Sequence, residues 1–182
     1  EGRRCYHCKR ELFRILRAIA LDAGGRTLLY GAIPDDLGDD RPGLQAAAEA
    51  GARAPLCEAG ITKQMVREFS RALGLPTWDK PSSPCLSSRF PYGTEINLAR
   101  LKQIAACELF MKELRFREFR VRYHGDLARI EVAQNEFDRL FEKETRQAIT
   151  EKFKEAGFSY VSLDLQGYRT GSLNEVLKTK LV

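Results

Sequence analysis

A chain of 182 residues, 43% hydrophobic and 30% charged, is long enough to bury a core and has the make-up of a globular protein rather than a disordered one. Its net charge of +5, from 30 basic and 25 acidic residues, suits phosphate-bearing small molecules and supplies no dense basic stripe, so nucleic acid is not the expected partner. No apolar run approaches the ~20 residues of a membrane helix, and the opening Glu1-Gly2-Arg3-Arg4 has neither a signal-peptide layout nor an initiator Met, which reads as an internal start in a cytoplasmic protein.

From the N-terminus, residues 8–21 carry Leu12, Phe13, Leu16, Ile19 and Ala20 at helical spacing and stop at Gly24-Gly25. Residues 27–30 read as a short buried strand, and 35–40 as an acidic loop ending at Arg41-Pro42-Gly43. Residues 44–51 read as a short Ala-rich helix. Thr62 is placed to cap a helix with Met65, Val66, Phe69 and Leu73 on one face and Gly74 as its stop. This rhythm predicts an α/β layer protein. Residues 76–93, with four prolines and four serines, form a long loop that marks a boundary, giving a first domain over 1–90 and a second over 91–182. Beyond it Thr94 is the expected cap of a helix whose apolar side is Leu98, Leu101, Ile104, Ala105 and Leu109. Phe119, Val121 and Tyr123 alternate with Glu118, Arg120 and Arg122 in a half-buried strand. His124-Gly125-Asp126 turns the chain into a second strand, where Ala128, Ile130 and Val132 alternate with Arg129 and Glu131. One helix over 135–156 and a strand at 160–163 complete a small α+β domain.

Several groups are able to carry chemistry. The five cysteines, an odd number in a chain with an ordinary core, point to reduced thiols or metal ligands rather than a disulfide framework. Cys85 lies in a proline-stiffened loop between Lys80 and Arg89, and nearby positive charge makes a thiol nucleophilic; the alternative is a buried, inert cysteine. Cys5 and Cys8 form a CxxC at a helix start, with both sulfurs on one face. They read either as ligands of a metal or iron–sulfur site completed by a further thiolate such as Cys57 or Cys85, or as packed helix-start residues. Asp35, Asp36, Asp39 and Asp40 follow a strand end, where they can hold a divalent cation on a nucleotide or form a solvated loop. Arg120, Arg122 and Arg129 surround Glu131 on the polar faces of two adjacent strands. A phosphate cradle and simple cross-strand pairing on a solvent face explain them equally well.

Eight segments occur in the order found in one family. They are Arg4-Cys5-Tyr6-His7-Cys8-Lys9, Asp39-Asp40-Arg41-Pro42-Gly43, residues 54–63 (APLCEAGITK), residues 74–81 (GLPTWDKP), residues 85–93 (CLSSRFPYG), Arg120-Val121-Arg122-Tyr123-His124-Gly125, Ala128-Arg129-Ile130-Glu131 and residues 163–172 (LDLQGYRTGS). By these the chain resembles the LarE-type sacrificial sulfur transferases of the PP-loop ATP pyrophosphatase superfamily. The resemblance implies the C-terminal part of a Rossmann-like PP-loop domain followed by a small α+β domain, in a homo-oligomer that works with the proteins of the lactate racemase cofactor pathway. It implies ATP with Mg²⁺ as co-substrate and a pyridinium dicarboxylate mononucleotide as substrate. One ring carboxylate is adenylated, attacked by the Cys85 thiolate, and released as a thiocarboxylate, leaving dehydroalanine. Ser88, Arg89, Arg120 and Arg122 would receive the substrate phosphate, Glu131 a metal, and Asp35, Asp36 and Arg41 the nucleotide. Some relatives use an iron–sulfur cluster instead, which Cys5 and Cys8 would serve.

Three departures stand out. No Ser-Gly-Gly-x-Asp-Ser loop is present in these residues, so this stretch alone is not expected to bind ATP tightly. Tyr30-Gly31-Ala32-Ile33-Pro34 replaces the usual Asp-Gly-Thr-Asn, and Asp40 replaces a Tyr. A tRNA sulfurtransferase of the same superfamily and a non-catalytic iron–sulfur or zinc module are the rival readings.

Overall fold

A computed structural model of the chain describes residues 3–38, 42–81, 84–169 and 171–172. It is a mixed α/β structure that divides into two compact units, Glu1–Lys80 and Pro81–Val182. The break lies inside the proline-rich segment but ahead of the boundary expected at residue 90. Phe90 explains the difference: it is fully buried in the core of the second unit, with Leu86 packed against the same cluster.

In the first unit, an uninterrupted run without Gly or Pro forms α1 (Arg4–Asp22), which ends where Gly24 and Gly25 take positive φ. Helix α2 (Pro42–Glu49) packs on it, burying Ala46 and Ala47. The short α3 (Pro55–Glu58) starts on a proline. Helix α4 (Lys63–Ala72) begins at Thr62, whose side chain accepts the Met65 N–H at 3.4 Å. The expected buried strand at 27–30 is not formed. Leu29 makes a single parallel bridge to Arg53 and is 63% exposed, because among the described residues no further segment pairs with it to extend a sheet.

The second unit opens with α5 (Leu98–Glu113), then β1 (Phe119–His124) and β2 (Leu127–Val132). It continues through α6 (Phe137–Phe141) and α7 (Lys143–Glu155) to β3 (Tyr160–Leu163). The sheet order is β1-β2-β3, with β1 antiparallel and β3 parallel to β2. The hairpin is as expected, and Gly125 (φ 66°) supplies the left-handed backbone that its two-residue loop needs. Phe119, Val121, Tyr123, Ala128, Ile130 and Val132 line one sheet face in a single core with residues of α5 and α7.

Several expectations for this unit need correction. Helix α5 is capped by Asn97, which accepts the Arg100 N–H at 3.0 Å, and not by Thr94. Its buried stripe is Ile104, Cys107, Glu108 and Met111, so Leu98 and Leu109 lie on the open side. The single helix over 135–156 is two, broken at Glu142, whose extended backbone (ψ 137°) starts α7. Cys107 is fully buried, and burial followed by the neighbouring Glu108 pushes its thiol up to about 12, which makes it an inert core residue. Among the described residues no helix is long and apolar enough to cross a membrane.

Candidate functional site

Cys85 is exposed and stands immediately before a 3-10 turn, Leu86–Arg89. Its Sγ and the Ser87 hydroxyl share a hydrogen bond at 2.7 Å, and its carbonyl accepts the Ser88 N–H at 3.0 Å. The inert, buried alternative therefore does not apply to this residue. Arg89, at the far end of the turn, points inward. It is 1% exposed, and its Nε and Nη2 donate to the two oxygens of Glu108 at 2.6 and 2.9 Å. Its Nη1 reaches back to the Pro84 carbonyl at 3.3 Å and to the Ser88 hydroxyl at 2.7 Å. The charge expected to lie beside the thiol is thus engaged by a carboxylate. Glu108 also accepts the Val121 N–H at 3.1 Å, closing a polar group on the open edge of β1.

The polar sheet face is buried as well, contrary to the half-buried strand read from alternation. Arg120 and Arg122 are 8% and 6% exposed, and Glu131 is 0% exposed. Arg122 makes a two-point pair with Glu131, Nε and Nη2 each at 2.9 Å. Its Nη1 donates to the Ser88 carbonyl at 2.8 Å, which joins the sheet to the Cys85 turn. Arg129 donates to Glu131 at 3.1 Å and faces Asp164 at 3.6 Å. Arg120 donates to the Phe119 carbonyl at 2.6 Å and to the Tyr168 hydroxyl at 3.1 Å, and its guanidinium lies over the Tyr168 ring. Burial, followed by the like charge of Arg89, holds the Arg120 guanidinium below its usual value. A buried cation under those two pressures gains from every electron-rich partner, which is the part played here by the Phe119 carbonyl and the Tyr168 hydroxyl and ring.

What covers this face is the segment after β3. The Tyr168 N–H donates to the Val132 carbonyl at 2.8 Å, and the Ser172 hydroxyl accepts from Arg122 at 2.7 Å while facing both Glu131 oxygens at 3.3 and 3.4 Å. Glu108 is not among the residues singled out from the sequence, and Tyr168 and Ser172 stand there only within the 163–172 motif, without a role. Glu108 left a signal there: an acid inside the helical stripe 104-107-108-111.

Glu131, expected as a metal ligand, is a counter-ion in this arrangement. Two guanidiniums and a hydroxyl occupy its oxygens, and a metal ion would have to enter a site already crowded with positive charge. Cys5 and Cys8 are exposed on the first turns of α1. Among the described residues no group of three His, Cys, Asp or Glu side chains is placed to hold a metal ion. Asp35 accepts the Lys63 N–H at 3.0 Å at the start of α4, and Asp36 accepts the Ile33 N–H at 3.1 Å, so both act as caps. Asp39, Asp40 and Arg41 lie outside the described residues.

His124 closes β1. Burial, then the charges of Arg129 and Arg122, hold its imidazole below the ordinary 6.5, with Glu131 pulling the other way. An NMR titration of the folded chain is expected to place the His124 midpoint below 6.5. The stability linked to this group is then fully present above 6.5 and falls as pH drops through the folded midpoint, because the unfolded chain takes up the proton first.

No protein-family model matches the chain. It is 45% identical over 174 residues to an uncharacterized protein of Synechocystis sp., covering 96% of this chain and 65% of that relative. It is 40% identical over 172 residues to the pyridinium-3,5-bisthiocarboxylic acid mononucleotide synthase of Lactiplantibacillus plantarum, covering 94% of this chain and 62% of that one. An uncharacterized protein of Methanocaldococcus jannaschii is 34% identical over 167 residues, covering 92% and 64%. The chain is therefore similar along nearly its whole length to a pyridinium-3,5-bisthiocarboxylic acid mononucleotide synthase, and it spans less than two thirds of each of these relatives.

Proposed function

We propose that this chain is the thiol-bearing portion of a LarE-type, ATP-dependent sulfur transferase with a PP-loop ATP pyrophosphatase fold, which builds thiocarboxylates on a pyridinium carboxylate mononucleotide. The observation that carries the reading is the exposed Cys85 on a turn bonded through Ser88 to the buried Arg122–Glu131 pair. An open thiol is thereby joined to a sheet face that also presents Arg120.

On this reading the mononucleotide phosphate is held at Arg120 and Arg122, which fixes the ring so that its activated carboxyl meets Cys85. A ring carboxylate attacks the α-phosphorus of ATP, the bond to the β-phosphate breaks, and pyrophosphate leaves as the acyl adenylate forms. The Cys85 thiolate attacks the acyl carbon, and AMP departs with the electron pair of the broken C–O bond. Removal of the Cys85 Cα proton then drives the electrons that expel sulfur from Cβ. The thiocarboxylate leaves on the product and dehydroalanine remains in the chain. The homo-oligomer and the partner proteins of the racemase-cofactor pathway belong to the same proposal. The sulfur is assigned to Cys85 because its thiol is exposed on the turn that the Ser88 carbonyl ties to Arg122.

The test is peptide mass spectrometry on the full-length protein after incubation with ATP, Mg²⁺ and the pyridinium substrate. The expected result is loss of one hydrogen sulfide from the peptide that contains Cys85. Product formed with Cys85 intact would transfer the sulfur to another carrier, with Cys5 and Cys8 the first to examine. No product and an intact Cys85 would overturn the reading.

A further inference from the structure

The Cys85 thiol is open to solvent, yet the turn that carries it is fastened from below at several points. Phe90, the residue directly after the Leu86–Arg89 turn, is fully buried in the core. The Ser88 carbonyl is held by Arg122 at 2.8 Å. The carbonyl of Pro84, directly before the thiol, is held by Arg89 at 3.3 Å, and the same Nη1 takes the Ser88 hydroxyl at 2.7 Å on the other side of it. Arg89 is itself fixed, because Glu108 takes both of its remaining donor positions while also holding the edge of β1 through Val121. A buried ion pair is a poor source of net stability, since desolvation offsets most of the attraction. What this one supplies is direction, a planar guanidinium set at one angle with its Nη1 held on the residues to either side of the thiol.

We propose that Arg89, oriented by Glu108, is the positioning residue for Cys85: it clamps the Pro84 carbonyl and the Ser88 hydroxyl so that the thiol is presented in one fixed direction. This rests on Cys85 being the sulfur donor. It assigns Arg89 to the turn and not to the substrate phosphate, and it gives Glu108 a role that nothing in the sequence motifs specified. Lysine at position 89 would keep the charge but cannot pair at two points with Glu108 and still reach Pro84.

The experiment compares the wild type with Arg89→Lys in two arms. Amide hydrogen exchange reads the turn through Ser88, whose N–H is bonded to the Cys85 carbonyl, and Phe90, whose N–H is bonded to the Ser87 carbonyl. Ile130 and Ile149 report the core. In Arg89→Lys the two turn amides are expected to exchange about tenfold faster while the core amides hold. Single-turnover kinetics on the full-length protein should show Cys85 conversion slowed about 100-fold at unchanged affinity for the mononucleotide, as misplacement of a reacting atom by ~1 Å produces. Unchanged turn amides would overturn the proposal. So would weakened mononucleotide affinity with an unchanged conversion rate, which would make Arg89 a substrate ligand. If Arg89→Lys also loses core protection, Ser88→Ala decides, since it removes one Arg89 bond without stranding a charge; faster exchange at Phe90 supports the clamp and no change overturns it. If even the wild type leaves Cys85 intact, the sulfur-donor reading fails, and the exchange arm alone judges the clamp.

Discussion

Glu131→Gln is expected to destabilise the second unit by about 3–5 kcal/mol, the scale on which breaking a buried ion pair from one side operates. The carboxylate is 0% exposed and receives Arg122 at two points, Arg129 at one, and the Ser172 hydroxyl. Glutamine fits the same volume, but one of its two arms becomes a donor and faces a guanidinium that also donates. Removing the negative charge leaves Arg122 buried without its counter-ion and in the neighbourhood of Arg120. Denaturant unfolding of the chain, with the second unit followed by amide exchange, checks the figure. The double variant Arg122→Met with Glu131→Leu should recover most of the loss, because it removes both charges together. If Glu131→Gln leaves stability within about 1 kcal/mol of wild type, the network is more hydrated than its geometry indicates.

Gly167→Ala should have the next largest effect. Gly167 has φ 70°, which strains an alanine by about 1–2 kcal/mol. A Cβ there would also lie 2.7 Å from the Val132 carbonyl oxygen and 3.3 Å from the Phe137 ring. Backbone cannot yield as a flexible side chain does, so overpacking adds about 1–3 kcal/mol. The consequence reaches the site. The Gly167 N–H donates to Asp164, and the next residue pairs with Val132, bringing Tyr168 onto Arg120 and Ser172 onto Arg122. Pushing this segment off β2 uncovers the arginine face. The expected result is a lower melting temperature together with loss of exchange protection at Tyr168. A variant that loses stability with the Tyr168 amide still protected would separate the strain from the cover.

The sequence by itself determined the three strands of the second unit and the turn between the first two. Alternation of apolar residues marked β1 and β2, Gly125 marked their turn, and the apolar residues at 160–163 marked β3. It also placed Cys85 in a loop and put Arg120, Arg122 and Glu131 on one face, because side-chain direction along a strand follows from the two-residue repeat alone. What it left undecided was the environment of that face. What lies against Arg122 on that face is Ser88 and Ser172, 34 and 50 residues away, and no local pattern indicates either. The pairing of Arg89 with Glu108 spans 19 residues and reverses the role that the flanking charge suggested for Arg89. In the first unit the apolar run at 27–30 predicted a buried strand, yet a strand is buried only when neighbours pair with it and cover it. Patterning fixes which way a residue points. Whether it then meets solvent, a counter-ion or a carbonyl is decided by chain segments far away in sequence, and only the tertiary structure brings these together.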